Sequence, residues 1–298
     1  MNVTISGASG FIGRRLLNTL ARRGHSLHVL SRHAGTNLPQ GVRLSVWNPM
    51  KGPPPAEALR DADAIVNLAG ENVAQRWSAE TKQRIRDSRV TGTRNLVEGL
   101  SQLDRRPAAL VSSSASGYYG SRGDALLDET SAPGAGFLAE VCVEWERAAF
   151  SAQKLGMRVA AIRTGLVLDP HGGALQKMLP PFRLGVGGKL GDGRQWLPWI
   201  HLDDLVDIYV HAVENTVSGP FNGSAPNPVT NTEFTRELGK AVHRPAIFPV
   251  PKLAMHVVFG EMAEVLFDSQ RMLPKAAEAA GFRFQFATLG EALRQLLS

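Results

Sequence analysis

The chain is short of cysteine and tyrosine, has no long apolar run and carries no acid near its start. Its single cysteine, Cys142, excludes an internal disulfide and a cysteine-based metal cluster, and a core position is expected for it. No apolar stretch approaches the ~20 residues of a membrane span. Met1-Asn2 runs directly into an apolar strand, which leaves no room for a signal peptide. These absences point to a soluble, cytoplasmic protein without a membrane partner. The net charge is +6, but its Arg and Lys residues are scattered instead of gathered in a tail or interleaved with aromatics. They read as surface charge plus an anionic ligand, not as a nucleic-acid interface. His201 and Asp203 stand too isolated for metal ligands and read as anchors at a helix start.

What is present is concentrated at the beginning. Val3-Thr4-Ile5 is an apolar strand, Gly7 to Gly13 a glycine turn, and Leu16, Leu17 and Leu20 give the next helix an inward face. A second strand, Leu27 to Leu30, ends at Ser31-Arg32. A strand turning straight into a helix leaves the first helical N–H groups, those near Phe11 and Ile12, unpaired at the positive end of the helix dipole. Gly7 permits the tight turn, Gly10 lets a pyrophosphate approach the backbone, and Gly13 lets helix and strand pack closely. An acid closing the second strand would accept from a ribose 2′-hydroxyl. No Asp or Glu lies between Met1 and Arg32, so Ser31 and Arg32 favour a 2′-phosphate and hence NADP. A solvated surface charge is the other reading of Arg32.

With 298 residues, 43% of them hydrophobic, the chain can bury one large core with a smaller lobe attached. Val42 to Trp47 reads as a third strand. Ala64 to Gly70 reads as a buried parallel strand whose carboxyl end, Leu68-Ala69-Gly70, should flank the cofactor. The helix from about Ser78 to Leu100 places Arg89 on the apolar face of Ile85, Gly92 and Leu96, so its guanidinium needs either a carboxylate or a cofactor-side role. Ala108 to Val111 runs into Ser112 to Gly120, where hydroxyls crowd the place that a nicotinamide and a substrate would share. A helix from Phe137 to Leu155 and a strand from Arg158 to Ile162 follow.

The order of Gly7 to Gly13, Asn67 to Gly70, the Ser-rich end leading to Tyr119-Gly120, Arg163 to Pro170 and Trp199 to Asp204 resembles the extended short-chain dehydrogenase/reductase superfamily, in its epimerase-like branch. More narrowly, Ala69 to Asn72, Gly117 to Gly120, Trp145-Glu146, Met178 to Gly185 and Leu197 to His201 resemble the atypical "epimerase family protein" group. Val250 to Ser298 is similar to that group's small C-terminal domain. The resemblance covers essentially the whole chain. It implies a doubly wound parallel Rossmann α/β sheet over residues 1–168 with a returning segment near 200–225. It also implies a smaller α+β substrate lobe over 169–298 that includes a C-terminal domain at 249–298. The cofactor implied is NADP, at Gly7, Gly10, Phe11, Ile12, Gly13, Ser31, Arg32, Leu68, Ala69, Gly70, Arg89 and Val167. A small-molecule substrate and a homodimer fit the same resemblance.

One departure qualifies the chemistry. Dehydrogenases and epimerases of this superfamily use a Tyr with a Lys four residues later, the Lys lowering a phenol pKa from about 10. This chain has three tyrosines, followed at that spacing by Arg122, Gly123 and Val213. Where the pair belongs, Phe137 and Val141 have the spacing but no acid or base. The superfamily's active-site hydroxyl would map near Ser114 or Ala115. Ser114, Tyr118 and Tyr119 are therefore the candidate catalytic groups of an NADP-dependent oxidoreductase or epimerase-like enzyme. The alternative is a non-catalytic NADP(H) sensor.

Beyond the sheet, the glycines and prolines between Gly172 and Gly193 read as a loop serving substrate or merely connecting, without the Ser or Thr of a phosphate-binding loop after Lys189. Capping boxes are expected at Thr230 to Glu233 and Thr288 to Glu291. A helix is expected over Lys252 to Phe267, and a strand over Phe282 to Phe286 after Gly281.

Overall fold

The computed structural model describes residues 1–35 and 38–298. Strands β1 (Asn2–Ser6), β2 (Ser26–Ser31), β3 (Arg43–Val46) and β4 (Ala64–Asn67) are joined by helix α1 (Phe11–Arg22) and by loops. Helix α2 (Ala79–Ser101) leads to β5 (Ala109–Ala115), the short β6 (Leu126–Leu127), α3 (Phe137–Phe150) and β7 (Arg158–Thr164). Then come β8 (Leu166–Asp169), α4 (Gly173–Arg183), β9 (Trp196–Leu197), β10 (Trp199–His201), α5 (Leu202–Glu214) and β11 (Gly219–Gly223). The chain finishes with β12 (Val229–Thr230), α6 (Asn231–Ala241), α7 (Lys252–Phe259), β13 (Arg271–Met272), α8 (Lys275–Ala279) and α9 (Leu289–Leu297).

Seven strands form the central sheet in the order β11-β7-β5-β4-β1-β2-β3, every neighbouring pair parallel. Parallel strands need covered crossovers, and both faces are accordingly buried. One is packed by α1 and α5 through Leu16, Leu20, Leu205 and Tyr209. The other is packed by α2 and α3 through Leu96, Leu100 and Ala149. The chain leaves β1 toward β2 and β3, then returns on the other side to β4. The crevice beyond the carboxyl ends of β1 and β4 is thus the topological switch point, where ligands of such sheets lie.

The smaller lobe has its own core of Leu175, Leu179, Phe182, Trp199, Phe234, Leu238 and Leu293. Here several expectations change. Residues 173–183 are helical, not loop, because Leu175, Leu179 and Phe182 supply a buried stripe that Pro180 and Pro181 near the helix end do not prevent. The Thr230 capping box forms in full. At Thr288 the hydroxyl instead donates to Glu291, and no side chain caps the backbone. The helix expected to reach Phe267 breaks at Gly260, whose φ is +62°, and continues as a 3₁₀ turn over Gly260–Leu266. Residues 282–286 are not a strand. The N–H groups of Gln285 and Phe286 are taken by the buried Asp204 carboxylate, at 2.8 and 3.0 Å, so this stretch docks on α5 by a side-chain clamp instead of a ladder. His201 reinforces the clamp, its ring stacked 4.0 Å from that of Phe286, while its Nδ1 accepts from Asp203 N.

Candidate cofactor cleft

The glycines of the β1–α1 turn are each held by backbone. Gly7 has φ +75°, and a Cβ there would lie 2.7 Å from the Leu68 carbonyl carbon. One on Gly13 would lie 2.2 Å from Gly7 O. Only glycine lets β1, β4 and the start of α1 approach so closely. Gly10 is the N-cap of α1, with no side-chain cap and no acid in the first turn. The N–H groups of Phe11, Ile12 and Gly13 thus have no intrahelical acceptor and open at the switch point, an arrangement that suits an anion. Beneath the turn, Ser6 donates to Asn67 at 2.6 Å, and Thr93 accepts from both Asn67 and Trp145 at 2.9 and 3.0 Å. This buried chain fixes β1, β4, α2 and α3 relative to one another.

Arg32 is exposed just past β2, with no acidic residue nearby in sequence to claim it. Leu68, Ala69 and Gly70 leave β4 alongside the turn, and a Cβ on Gly70 would be 3.3 Å from the Arg89 guanidinium carbon. Arg89 is partly buried. Its Nη1 donates to the carbonyls of Glu71 and Ile85 at 3.0 and 3.2 Å, and its guanidinium lies 5.2 Å from the Trp145 ring centre. Burial pulls its pKa below the usual arginine value, because carbonyls and a ring replace the solvent without supplying a full counter-charge. The Phe11 ring reaches across to the second lobe and sits against Gly172 and Gly173, beside the Val167 carbonyl. The start of α1 therefore touches the start of α4 directly.

The three candidate catalytic groups fall in different places. Ser114 is buried on β5 and donates to Glu146 Oε1 at 2.7 Å. Tyr119 is fully buried. Its hydroxyl lies 2.7 Å from Asn222 Oδ1 and 3.0 Å from the Asp128 carbonyl, and accepts from Arg163 Nη1 at 2.9 Å. Burial pushes its pKa up to about 12. The phenol is thus enclosed, with its hydroxyl committed to partners inside the protein. Tyr118 alone is partly exposed, its ring 3.5 Å from the Arg163 guanidinium and edge-on to Tyr119 at 5.3 Å.

Arg163 is the hub that sequence reading missed. It forms a bidentate pair with Glu146 at 2.8 and 2.9 Å, both side chains being more than nine-tenths buried. Asn222 on β11 completes the network by donating its backbone N–H to Glu129 at 2.9 Å and its Nδ2 to the Leu273 carbonyl at 2.8 Å. On α3, the residues against Gly117 are Leu138 and Cys142, neither an acid–base pair. Burial raises the Cys142 thiol to about 12, which keeps it protonated and inert. Among the described residues no cluster suited to a metal ion occurs, and no helix is long and apolar enough to cross a membrane.

A seven-stranded parallel sheet with a glycine turn at its switch point defines a Rossmann α/β protein of the short-chain dehydrogenase/reductase type. The NAD dependent epimerase/dehydratase family profile matches residues 3–223, and a domain of unknown function (DUF1731) matches 250–296. The chain belongs to that family. It is 45% identical over 294 residues to an epimerase family protein of Mycobacterium bovis, covering 98% of this chain and 96% of the relative. It is 40% identical to the chloroplastic SDR39U1 homolog of Arabidopsis thaliana, covering 100% and 87%. The crystal structure of human epimerase family protein SDR39U1 with NADPH superposes with a TM-score of 0.89 at 35% identity, covering 100% and 99%. MoeE5 with UDP-glucose and NAD shares the fold at a TM-score of 0.78 and 21% identity, covering 100% and 97%.

Proposed function

We propose that the protein binds NADP(H) and acts as an oxidoreductase or epimerase-like enzyme on a carbonyl or sugar-nucleotide-like small molecule. The observation that carries this reading is the β1–α1 turn, where α1 begins at Gly10 with no side-chain cap and no acid in its first turn, followed by a β2 end with Arg32 and no acid. Bound there, the nicotinamide supplies or accepts hydride. Phe11, Ile12 and Gly13 offer N–H groups to the pyrophosphate, and Ser31 and Arg32 receive the 2′-phosphate. Leu68, Ala69, Gly70 and Val167 line the crevice, while Arg89 adds positive charge beside Gly70. Because Ser114 and Tyr119 are committed elsewhere, Tyr118 is the group assigned to assist proton transfer. On this reading residues 1–168, with the returning segment near 200–225, hold the cofactor. Residues 169–298, including 249–298, hold the substrate. A homodimer in the cytoplasm completes the proposal, although the Arabidopsis relative is named chloroplastic.

A second reading, an NADP(H) sensor without turnover, is favoured by one observation: the α3 side chains that pack against Gly117 are Leu138 and Cys142, not an acid–base pair. NADPH binding by fluorescence titration, followed by NADPH oxidation against a panel of carbonyl compounds and sugar nucleotides, separates the two. Turnover that disappears in Tyr118→Phe supports the enzyme, and tight binding without turnover on any substrate supports the sensor. Failure to bind NADPH at all sinks both.

A further inference from the structure

A groove of about 860 Å³ lies in the second lobe along α6. Residues Thr232, Thr235, Arg236, Gly239 and Lys240 line it, spaced three and four apart so that they share one helical face, with His243 just beyond the helix end. The opposite face, with Phe234 and Leu238, is buried in the lobe's core. The segment after α6 folds back to form the other wall. A Cβ on Gly239 would meet Ala246 Cβ at 2.9 Å and the Arg244 carbonyl oxygen at 3.0 Å, so glycine is required for that return.

Three independent features point to a ligand. First, the reversal is made at His243, with φ +53° the one non-glycine residue of positive φ among those described. Helices usually end on glycine at such a left-handed position, where a side chain is strained. Keeping an imidazole there suggests that the side chain is used, and it makes no hydrogen bond among the described residues. Second, Thr235 on the floor is 4% exposed, and its buried hydroxyl has no hydrogen-bond partner. Third, Lys189, Arg236, Lys240, His243 and Arg244 line the groove and no acid does. The nearest counter-charge is Glu237, which accepts from Arg236 Nε at 3.2 Å and Lys240 Nζ at 3.0 Å. Lys189 and Arg244 donate only to backbone carbonyls, Lys189 Nζ to Asp192 and Arg244 Nε and Nη1 to Arg183 and His243. Of these cations only Arg236 and Lys240 share a carboxylate, that of Glu237, and residues 245–247 supply an apolar wall.

We infer that this groove binds a phosphorylated small molecule of nucleotide size, its phosphates met by Arg236, Lys240, Arg244 and Lys189 and its planar body laid against residues 245–247. The volume lies within the ~300–1,000 Å³ typical of small-molecule pockets. The inference does not depend on what the β1–α1 turn holds.

The test is calorimetric titration with ATP and with inorganic pyrophosphate in about 0.15 M salt, with the cofactor turn presaturated by NADPH. ATP should bind with one-site stoichiometry and more tightly than pyrophosphate. Arg236→Ala combined with Arg244→Ala should weaken ATP by about tenfold or more, the scale of one lost charge-assisted contact. His243→Gly should also weaken ATP while leaving thermal stability unchanged or higher, which distinguishes a binding side chain from a structural one. The inference is overturned if presaturated protein takes up neither probe. It is equally overturned if both variants bind ATP as wild type does, whether the contact then lies elsewhere or is with charge in general.

Discussion

Replacing Arg163 by Met removes the centre of the buried network while keeping much of its volume. Arg163 and Glu146 are 3% and 7% exposed, so the deserted carboxylate would have almost no access to water. It would keep only the Ser114 hydroxyl at 2.7 Å, after losing two guanidinium bonds of 2.8 and 2.9 Å. Removing one partner of a buried pair costs about 3–5 kcal/mol, chiefly because the other charge is left uncompensated. Tyr119 would lose its Arg163 donor too, and Tyr118 the cation against its ring. Urea denaturation followed by both fluorescence and circular dichroism should report that loss. Arg163→Met with Glu146→Met should be less destabilised than the sum of the single variants, because no orphaned charge remains. A single-variant cost under about 1 kcal/mol, or strict additivity, would refute the account of Arg163 as a buried, uncompensable hub.

Three further outcomes are expected. Arg32→Asp should weaken NADPH binding by roughly tenfold to a hundredfold, the loss of a charge-assisted contact worth about 1.5–3 kcal/mol, and should affect NADH far less; equal losses for both cofactors in fluorescence titrations would exclude a 2′-phosphate role. Gly172→Ala would put a Cβ 2.3 Å from the Phe11 ring, an overpacking that costs about 1–3 kcal/mol, and Phe11→Ala should rescue much of it in a thermal double-mutant cycle. Burial holds the Asp204 carboxyl above its ordinary 3.8, with the N–H groups of Gln285 and Phe286 acting in opposition. The folded state therefore keeps this proton to higher pH than the unfolded state does, and stability contributed by Asp204 falls as pH rises from 3.8 through the folded value. Glu129 and Asp268 shift in the same direction, so the contribution is read as the difference between wild type and Asp204→Asn, whose pH–stability curve should be flatter in that window.

Local pattern made several elements readable. The turn from Gly7 to Gly13, the buried strand at Ala64 and the Thr230 cap all state their geometry within a few residues, and each forms as expected. What could not be read depends on partners far along the chain. Residues 282–286 alternate like a strand, but Asp204, some eighty residues away, takes their N–H groups. Glycines and prolines hid α4 although Leu175, Leu179 and Phe182 carried its helical period. Tyr119 looked reactive because it ends a serine-rich strand, and its commitment to Asn222, a residue on β11, leaves no local trace. A signal did exist for the hub: Glu146 shares the α3 face of Cys142 and Ala149, all buried, and a carboxylate on an apolar face asks for a buried cation.

Hydrogen-bond accounting then separates two arginines that sequence pattern treats alike. Arg163 spends Nε, both Nη1 hydrogens and one Nη2 hydrogen on Glu146, Tyr119 and the Glu129 carbonyl, which commits four of its five donors inside the protein. Arg89 spends Nη1 alone, on two backbone carbonyls, which orient the fork without neutralising it. Its charge persists at a cost in desolvation, directly over a glycine that leaves room beside it. The same fold thus carries one guanidinium committed to a buried network at the carboxyl end of β7 and another, beside Gly70, that is incompletely paired. The second arrangement is the one an anionic cofactor would complete.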